Sequence, residues 1–233
     1  MASIRDIEGW DGAMSSAKLI RYEPAQFPFE KVFCRMFRMR DVSRLHRAVL
    51  AKKRTRLGPE AELGYRDSKA MRDWMASQAA DSAFYPIYHA FVRLVLAPFF
   101  GGKLSYPQRP RFRVHLARGP GVSDWHRDTD ITGRFDQIAA WIPMVDCRGT
   151  RSMWVESDYG KADHRPVEVR HGEVLVFDSG LSHGTVANES DVTRVGFDLR
   201  FAPLPAGAGV DRGILARRPE GFEADRVVVN CRC

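Results

Sequence analysis

The spacing of apolar residues divides this chain into a helical segment and a longer segment of strands. Between residues 41 and 100, apolar positions recur at intervals of three and four, the period of an amphipathic helix. The strongest such pattern runs over 82–97 and ends at Pro98 and Gly101-Gly102. Two earlier helices are predicted from residues that can cap a helix N-terminus, namely Asp41 or Ser43, and Asp67 or Ser68. A short strand is predicted before them, over Lys31–Arg38.

From Arg109 to Pro203 the period changes to two, which is typical of strands. Residues 111–116 alternate strictly and place Arg111, Arg113 and His115 on one face. Short strands separated by Gly, Asp and Asn turns indicate a sandwich or barrel. Further strands are predicted over 137–144, 152–156, 167–170, 173–177, 184–186 and 194–201.

These patterns predict a mainly β fold, a double-stranded β-helix (jelly roll or cupin-like barrel) with the N-terminal helices packed on the outside of one sheet. In such a barrel, one strand face packs against the helices and the other lines the cleft, so Arg113 and His115 are candidates for the cleft. The alternative is that they lie on the exposed face of an edge strand. We expect a single domain over 1–233, comprising an N-terminal strand and helical support over 1–105, a jelly-roll core over 106–203 and a C-terminal extension over 204–233.

Length and composition fit one domain with a full core, since the chain has 233 residues and is 44% hydrophobic. No apolar run reaches the roughly 18 to 20 residues of a membrane span, and the first residues lack the order of a signal peptide. We therefore expect a cytoplasmic protein without a membrane partner. The cysteines show no disulfide framework and are expected to be reduced: Cys34, Cys147, Cys231 and Cys233.

The net charge of +7 comes mostly from arginine and hints at an acidic substrate or at nucleic acid. The basic segments 35–47 and 52–56 lack the interleaved aromatic residues of a platform that stacks bases. We interpret them as solvated faces, so nucleic acid is not the expected partner.

The chemistry is concentrated in His126-Arg127-Asp128, His183 and Arg194. Two imidazoles and one carboxylate form the facial triad of a non-heme Fe(II) oxygenase, which leaves coordination positions open for a co-substrate and O2. Arg194 carries a planar, permanently charged fork that can clamp the distal carboxylate of 2-oxoglutarate. An isolated His-x-Asp is weak evidence, but here each part follows a turn or opens a predicted strand. The predicted metal ligands are His126, Asp128 and His183.

Three further residues are weaker candidates for the co-substrate pocket. His183 and Thr185 share a strand face, so the Thr185 hydroxyl is a candidate partner of the co-substrate. Trp141 either lines the metal pocket or packs in the core. Arg194 is in phase with Asp198 and Arg200 along its strand, and Arg113 and Arg200 are the next candidates for the clamp.

The run from about Phe112 to Phe201 resembles the Fe(II)/2-oxoglutarate-dependent oxygenases, in particular the phytanoyl-CoA-hydroxylase-like branch and the streptomycin-biosynthesis-type oxygenases. The resemblance lies in Gly-Val-Ser-Asp-Trp-His-Arg-Asp, Trp-Ile-Pro-Met-Val-Asp, Gly-Glu-Val-Leu-Val-Phe-Asp-Ser-Gly-Leu-Ser-His-Gly, Asn188-Glu189-Ser190 and Thr-Arg-Val-Gly-Phe-Asp-Leu-Arg-Phe. It implies iron at His126, Asp128 and His183 and 2-oxoglutarate at Arg194, with Trp141 and Thr185 nearby. Many relatives have Arg-x-Ser at the clamp, whereas this chain has Gly196 in place of the serine.

The resemblance implies Fe(II), 2-oxoglutarate and O2 as cofactor and co-substrates, with succinate and CO2 as products. Three hypotheses follow. The first is hydroxylation of a small molecule in secondary metabolism, and the second is demethylation of nucleic acid by the same chemistry. The third is a jelly-roll binding protein with an inert metal site. The intact triad and Arg194 argue against it, since a site without a catalytic role need not retain all four residues. The fold alone does not decide, because jelly rolls serve many functions.

Overall fold

The computed structural model describes residues 3–5 and 16–204. Within these residues the strands are β1 Ser3–Arg5, β2 Ala17–Arg21, β3 Leu104–Ser105, β4 Arg111–His115, β5 Ile138–Pro143, β6 Met153–Val155, β7 Arg165–Val167, β8 Glu173–Asp178, β9 His183–Gly184 and β10 Arg194–Pro203. The α-helices are α1 Phe29–Met36, α2 Leu45–Leu57, α3 Tyr65–Ala79, α4 Phe84–Phe91 and α5 Asp128–Thr132. The C-terminal extension from residue 205 onward, with Cys231 and Cys233, lies outside the described residues.

The strand predicted over Lys31–Arg38 is wrong, because this segment forms helix α1. Its buried side chains Phe29, Val32, Phe33 and Met36 follow the spacing of one helix face. So short an apolar run fits both periods, and packing against the sheet decides in favour of the helix.

The helix predicted over 82–97 changes its winding along its length. Helix α4 passes into a π-helical turn at Val92–Leu96 and then a 3-10 turn at Ala97–Phe100. The segment ends at Gly101, whose positive φ of 81° is a conformation that glycine adopts without steric cost. The predicted stop at Gly101-Gly102 is confirmed.

The larger sheet has seven strands in the order β1-β2-β8-β5-β10-β3, and β4 also pairs with β10. The smaller sheet has the order β7-β6-β9. All of these pairs are antiparallel. The prediction of a mainly β, double-stranded β-helix is confirmed.

Helices α1 and α4 cover one face of the larger sheet with aromatic side chains. The ring of Phe29 lies 4.8 Å from that of Phe197, and the ring of Phe84 lies 4.8 Å from that of Phe112. All four side chains are buried. The opposite face therefore remains for the smaller sheet and for the cleft between the sheets, as predicted for helices on the outside of one sheet.

Among the described helices, none is by itself long and apolar enough to cross a membrane. Tyr65–Ala79 and Phe84–Phe100 reach the required length and hydropathy only as a pair, which is bent by 91° at its junction.

Candidate metal centre

His126, Asp128 and His183 meet at the open face of the larger sheet, with one possible ligand atom from each lying within 4.8 Å of the others. The Nε2 atom of His126 is 3.5 Å from Oδ1 of Asp128, and the Nε2 atom of His183 is 3.9 Å from the same oxygen. The predicted triad is therefore assembled in the fold, although its three members come from two distant parts of the chain.

The backbone holds the two imidazoles together. The amide of His126 donates to the carbonyl of His183 at 3.0 Å, and the amide of His183 donates to the carbonyl of His126 at 2.9 Å. This reciprocal pair is an antiparallel bridge that continues the pairing of β9. Asp128 begins helix α5 two residues after His126, which brings its carboxylate back to both rings.

Each histidine presents Nε2 because its Nδ1 is engaged elsewhere. Nδ1 of His126 lies 2.7 Å from the carbonyl oxygen of Asp124, and Nδ1 of His183 lies 2.9 Å from that of Leu181. Such carbonyl partners fix the tautomer that leaves Nε2 free to bind a metal. Two imidazoles and a carboxylate are the donor set that suits Fe(II) with positions left open, so the residues fit the implied metal.

The electrostatics favour an ionised carboxylate at Asp128 and a neutral imidazole at His183. Burial lowers the pKa of His126, but its contact with Asp128 raises that pKa above its ordinary value. Burial alone would raise the pKa of Asp128, but its contacts with His126, His183 and Arg200 lower that pKa well below its ordinary value. Burial lowers the pKa of His183 to about 4. Asp128 and His183 are thus in the protonation state that binds a cation.

Arg194 is a buried charge of the site and, like Asp128, is only 2% exposed. Its Nη1 donates to the carbonyl oxygen of Ser152 at 2.9 Å, and its guanidinium carbon lies 5.2 Å from the centre of the Trp141 ring. Its Nε has no hydrogen-bond partner, and no carboxylate of the described residues lies within 4.0 Å of it. Burial lowers the pKa of Arg194 to about 10, which still leaves it charged at neutral pH.

A cavity of about 30 Å³ joins the triad to Arg194. Every site residue predicted from the sequence lines it: His126, Asp128, His183, Arg194, Trp141, Thr185 and Arg113. The cleft-facing prediction for Arg113 is therefore confirmed. His115 is completely buried, and its Cα is paired with that of Arg194 across β4 and β10.

Two of these side chains are already engaged by protein groups. The Thr185 hydroxyl accepts from the amides of Val122 and Ser123 at 2.9 and 3.0 Å. Arg113 forms an ion pair with Asp198, in which its Nη2 lies 3.3 Å from Oδ2. A direct contact of Thr185 or Arg113 with a co-substrate remains a prediction.

The contact that sequence reasoning did not predict is between Arg200 and Asp128. The guanidinium of Arg200, which is partly buried, donates to Oδ1 of the buried carboxylate of Asp128. The alternation along the strand predicts that Arg200 lies on the same face as Arg194. Nothing in the sequence pattern indicates that Arg200 contacts Asp128, which lies on another segment.

Gly196, which stands where many relatives have serine, lies against the backbone of the neighbouring strand. A Cβ at this position would be 2.5 Å from the carbonyl oxygen of Ile142 and 3.1 Å from the Cα of Pro143. The close approach of β5 to β10 therefore leaves no room for a side chain at this position.

Comparison with known proteins gives one relative by sequence. No protein-family model matches the chain. It is 35% identical over 131 residues to the streptomycin biosynthesis protein StrG of Streptomyces griseus. The resemblance to the streptomycin-biosynthesis branch is confirmed. The matched region covers 54% of this chain and 60% of StrG, so the chain spans less than two thirds of that relative.

Two of the solved structures of similar fold are EvdO2 and SnoK. EvdO2 from Micromonospora carbonacea var. aurantiaca, complexed with 2-oxoglutarate, is 12% identical with a TM-score of 0.49, and the match covers 91% of this chain and 98% of EvdO2. SnoK, a non-heme alpha-ketoglutarate-dependent carbocyclase from nogalamycin biosynthesis, is 16% identical with a TM-score of 0.44, covering 88% of this chain and 87% of SnoK. Identities and TM-scores this low carry no argument about the reaction.

Proposed function

We propose that this protein is an Fe(II)- and 2-oxoglutarate-dependent dioxygenase that hydroxylates a small molecule in secondary metabolism. His126, Asp128 and His183 would hold the iron, and Arg194 would bind the distal carboxylate of 2-oxoglutarate. When bound, iron and 2-oxoglutarate supply the activation of O2 for oxidation of a C–H bond, with succinate and CO2 as products.

The observation that carries this proposal is Arg194, a fully buried guanidinium with no acidic partner among the described residues. A buried charge without a counter-charge is costly, so such a group calls for an anionic ligand. The same cavity holds the triad, so a ligand bound to Arg194 lies beside the metal ligands. A dicarboxylate that binds metal at one end and a guanidinium at the other matches the chemistry of the groups in the cavity wall.

The chain's own residues orient the co-substrate and exclude water. Trp141 is completely buried and covers the guanidinium of Arg194 with its ring face. The carbonyl oxygen of Ser152 accepts a hydrogen bond from the guanidinium of Arg194 and holds it in place. In so dry a pocket a charge-assisted contact is stronger than in water.

Asp128 favours hydroxylation over halogenation. Halogenases related to this family lack the carboxylate and bind chloride in its place, whereas Asp128 occupies the centre of the cluster here. Similarity to StrG, a streptomycin biosynthesis protein, supports a substrate from antibiotic biosynthesis.

The test is succinate formation from 2-oxoglutarate by aerobic protein supplied with Fe(II), together with the visible absorption band of the anaerobic complex. We expect slow turnover even without the substrate, because the triad leaves positions for both co-substrates. Absence of both signals would contradict the proposal.

Arg194→Ala provides the sharper arm of this test. Loss of a bidentate contact worth about 2 to 5 kcal/mol should lower the affinity for 2-oxoglutarate by roughly thirtyfold to several thousandfold. Arg194→Lys should recover only part of the lost affinity for 2-oxoglutarate, because the ammonium group of lysine does not make the two parallel hydrogen bonds of a guanidinium. Arg47→Ala, an exposed arginine outside the cavity, is the matched control. An unchanged 2-oxoglutarate dependence in Arg194→Ala would assign the clamp to Arg113 or Arg200.

A further inference from the structure

A second and larger cavity of about 360 Å³ adjoins the metal centre. The two cavities share Asp198 and Arg200 in their walls. The larger one is lined by Ser105, Tyr106, Pro107, Arg109, Arg111, Thr132, Arg134, Gln137, Asp198, Leu199 and Arg200. Its volume is at the low end of the range for small-molecule sites, about 300 to 1,000 Å³. A ligand held there would border the triad through Arg200.

The lining of this cavity is strongly basic. Four of its side chains are arginines, and Asp198 is its one carboxylate. Asp198 is already paired with Arg113, which belongs to the smaller cavity. The cavity therefore carries a surplus of positive charge that its own walls do not neutralise.

The arginines differ in what they already bind. Arg200 contacts Asp128, and Arg134 pairs with Asp136 at 2.7 Å. Arg109 and Arg111 have no hydrogen bond to a side chain and no carboxylate within 4.0 Å among the described residues. Two guanidinium groups are thus free to bind a ligand from the same cavity.

Arg111 is held close to another cation. Partial burial, and then the charge of Arg200, lower the pKa of Arg111 below its ordinary value. The two guanidinium groups repel each other, and an anion bound between them would relieve this repulsion.

We propose that this cavity binds a phosphate monoester group of the substrate, so that the oxygenase acts on a phosphorylated small molecule. This inference rests on the proposed function, which supplies the reaction. The arginines of the cavity supply the class of substrate. A dianionic tetrahedral group accepts bidentate hydrogen bonds from more than one guanidinium, which matches Arg109 and Arg111. The reacting carbon of the same molecule would then lie toward the shared wall at Arg200.

The 2-oxoglutarate co-substrate is the wrong occupant for this cavity. Its expected clamp, Arg194, does not line the larger cavity, and neither do the three metal ligands. The larger cavity therefore adjoins the reaction centre without containing it, which is the position expected for the distal end of a substrate.

The experiment is calorimetric titration of the metal-free protein with inorganic phosphate, D-glucose 6-phosphate and D-glucose at low ionic strength. We expect the two phosphates to bind and glucose not to bind, with affinity falling as salt is added. Arg111→Ala and, separately, Arg109→Ala should each lower phosphate affinity about tenfold or more. Arg93→Ala removes an exposed arginine outside both cavities and should leave that affinity unchanged.

Three results would overturn the proposal. The first is phosphate affinity in both variants equal to that of Arg93→Ala. The second is an equal fall in their affinity for 2-oxoglutarate, which would make the cavity a co-substrate site. The third is tight binding of a short single-stranded oligonucleotide without binding of either phosphate, which would favour nucleic acid.

Because no iron or 2-oxoglutarate is present in the titration, its outcome is separate from that of the proposed function. If the protein forms succinate but does not bind phosphate, the proposed substrate class is wrong and the proposed oxygenase activity stands. Phosphate binding without succinate formation contradicts only the oxygenase.

Discussion

The guanidinium of Arg200 on strand β10 forms an ion pair with the buried carboxylate of Asp128, the central member of the triad. Arg200 also lines both cavities, so one side chain borders the predicted metal, the co-substrate pocket and the proposed phosphate site. Without metal, this contact is what neutralises the buried carboxylate.

Arg200→Ala should destabilise the metal-free protein by about 3 to 5 kcal/mol, because the carboxylate of Asp128 is then buried without its main counter-charge. For a chain of this size, this corresponds to a fall in Tm of roughly 6 to 20 °C. Anaerobic Fe(II) should restore part of the loss, since a bound cation stabilises the folded state that holds it. The measurement is thermal unfolding with and without Fe(II).

Arg134→Ala is the matched control, since it removes an arginine from an exposed ion pair with Asp136. Exposed pairs contribute about 0 to 1 kcal/mol, so the shift should be small. Equal shifts for the two variants would mean that the contact between Arg200 and Asp128 contributes no more than a surface pair.

Asp128→Ala should weaken Fe(II) binding by more than about a hundredfold, beyond the loss expected for an outer-shell partner. It should also abolish succinate formation coupled to product. Asp130→Ala removes a carboxylate from the same helix that is not in the cluster, and iron binding should change little. Anaerobic Fe(II) titration of both variants checks this, and similar affinities would show that the triad is misassigned.

Gly196→Ser, which restores the residue common among relatives, should destabilise the protein by about 1 to 3 kcal/mol and should not improve 2-oxoglutarate binding. The new Cβ would lie 2.5 Å from the carbonyl oxygen of Ile142, and a backbone atom in a paired strand does not move aside by rotation of a side chain. Gly64→Ser is the control, because its Cβ meets only Asp67 at 3.9 Å. Urea unfolding of both variants measures the difference, and a fully stable Gly196→Ser would show that β5 and β10 can separate.

His115 should make the fold sensitive to acid. Burial, and then the charge of Arg194, lower its pKa to about 3 from an ordinary value of 6.5. Above pH 6.5 the ring is neutral in both the folded and unfolded states, so stability is complete. As pH falls from 6.5 toward about 3, only the unfolded chain takes up the proton, and stability falls by about 1.4 kcal/mol per pH unit.

His115→Met removes this titration while keeping a buried side chain of similar size. The free energy of unfolding should therefore fall less steeply between about pH 6.5 and pH 5 in the variant than in the unchanged protein. Urea unfolding across that range gives both slopes. Parallel slopes would show that His115 is solvated or paired in the folded state.

The strands and the triad were predictable because their signals are local. The alternation over 111–116 is present in neighbouring residues, and it left Arg113 either in the cleft or on an exposed edge face; the structure has it in the wall of the cavity. His126 and Asp128 are only two positions apart in sequence, and His183 and Arg194 each begin a strand. The types of these residues and the alternation of apolar positions around them were enough to select these four residues as candidates.

Other features depend on how distant segments meet. Residues 31–38 were predicted as a strand because their apolar spacing fits either period, and packing of Phe29 and Phe33 on the sheet decides for a helix. The contact between Arg200 and Asp128 depends on how α5 meets β10, which a single strand pattern does not contain. The crowding at Gly196 likewise depends on the register of two strands, in which Gly196 faces Pro143.

The two hydrogen bonds between the main chains of His126 and His183 decide what in this site is able to move. The spacing of the two Cα atoms is that of paired backbones, so it does not depend on a flexible loop. Widening it would require breaking both bonds at once. The imidazole pair is thus the rigid frame of the pocket, and any adjustment to ligands of different shape must come from the arginine side chains that face it.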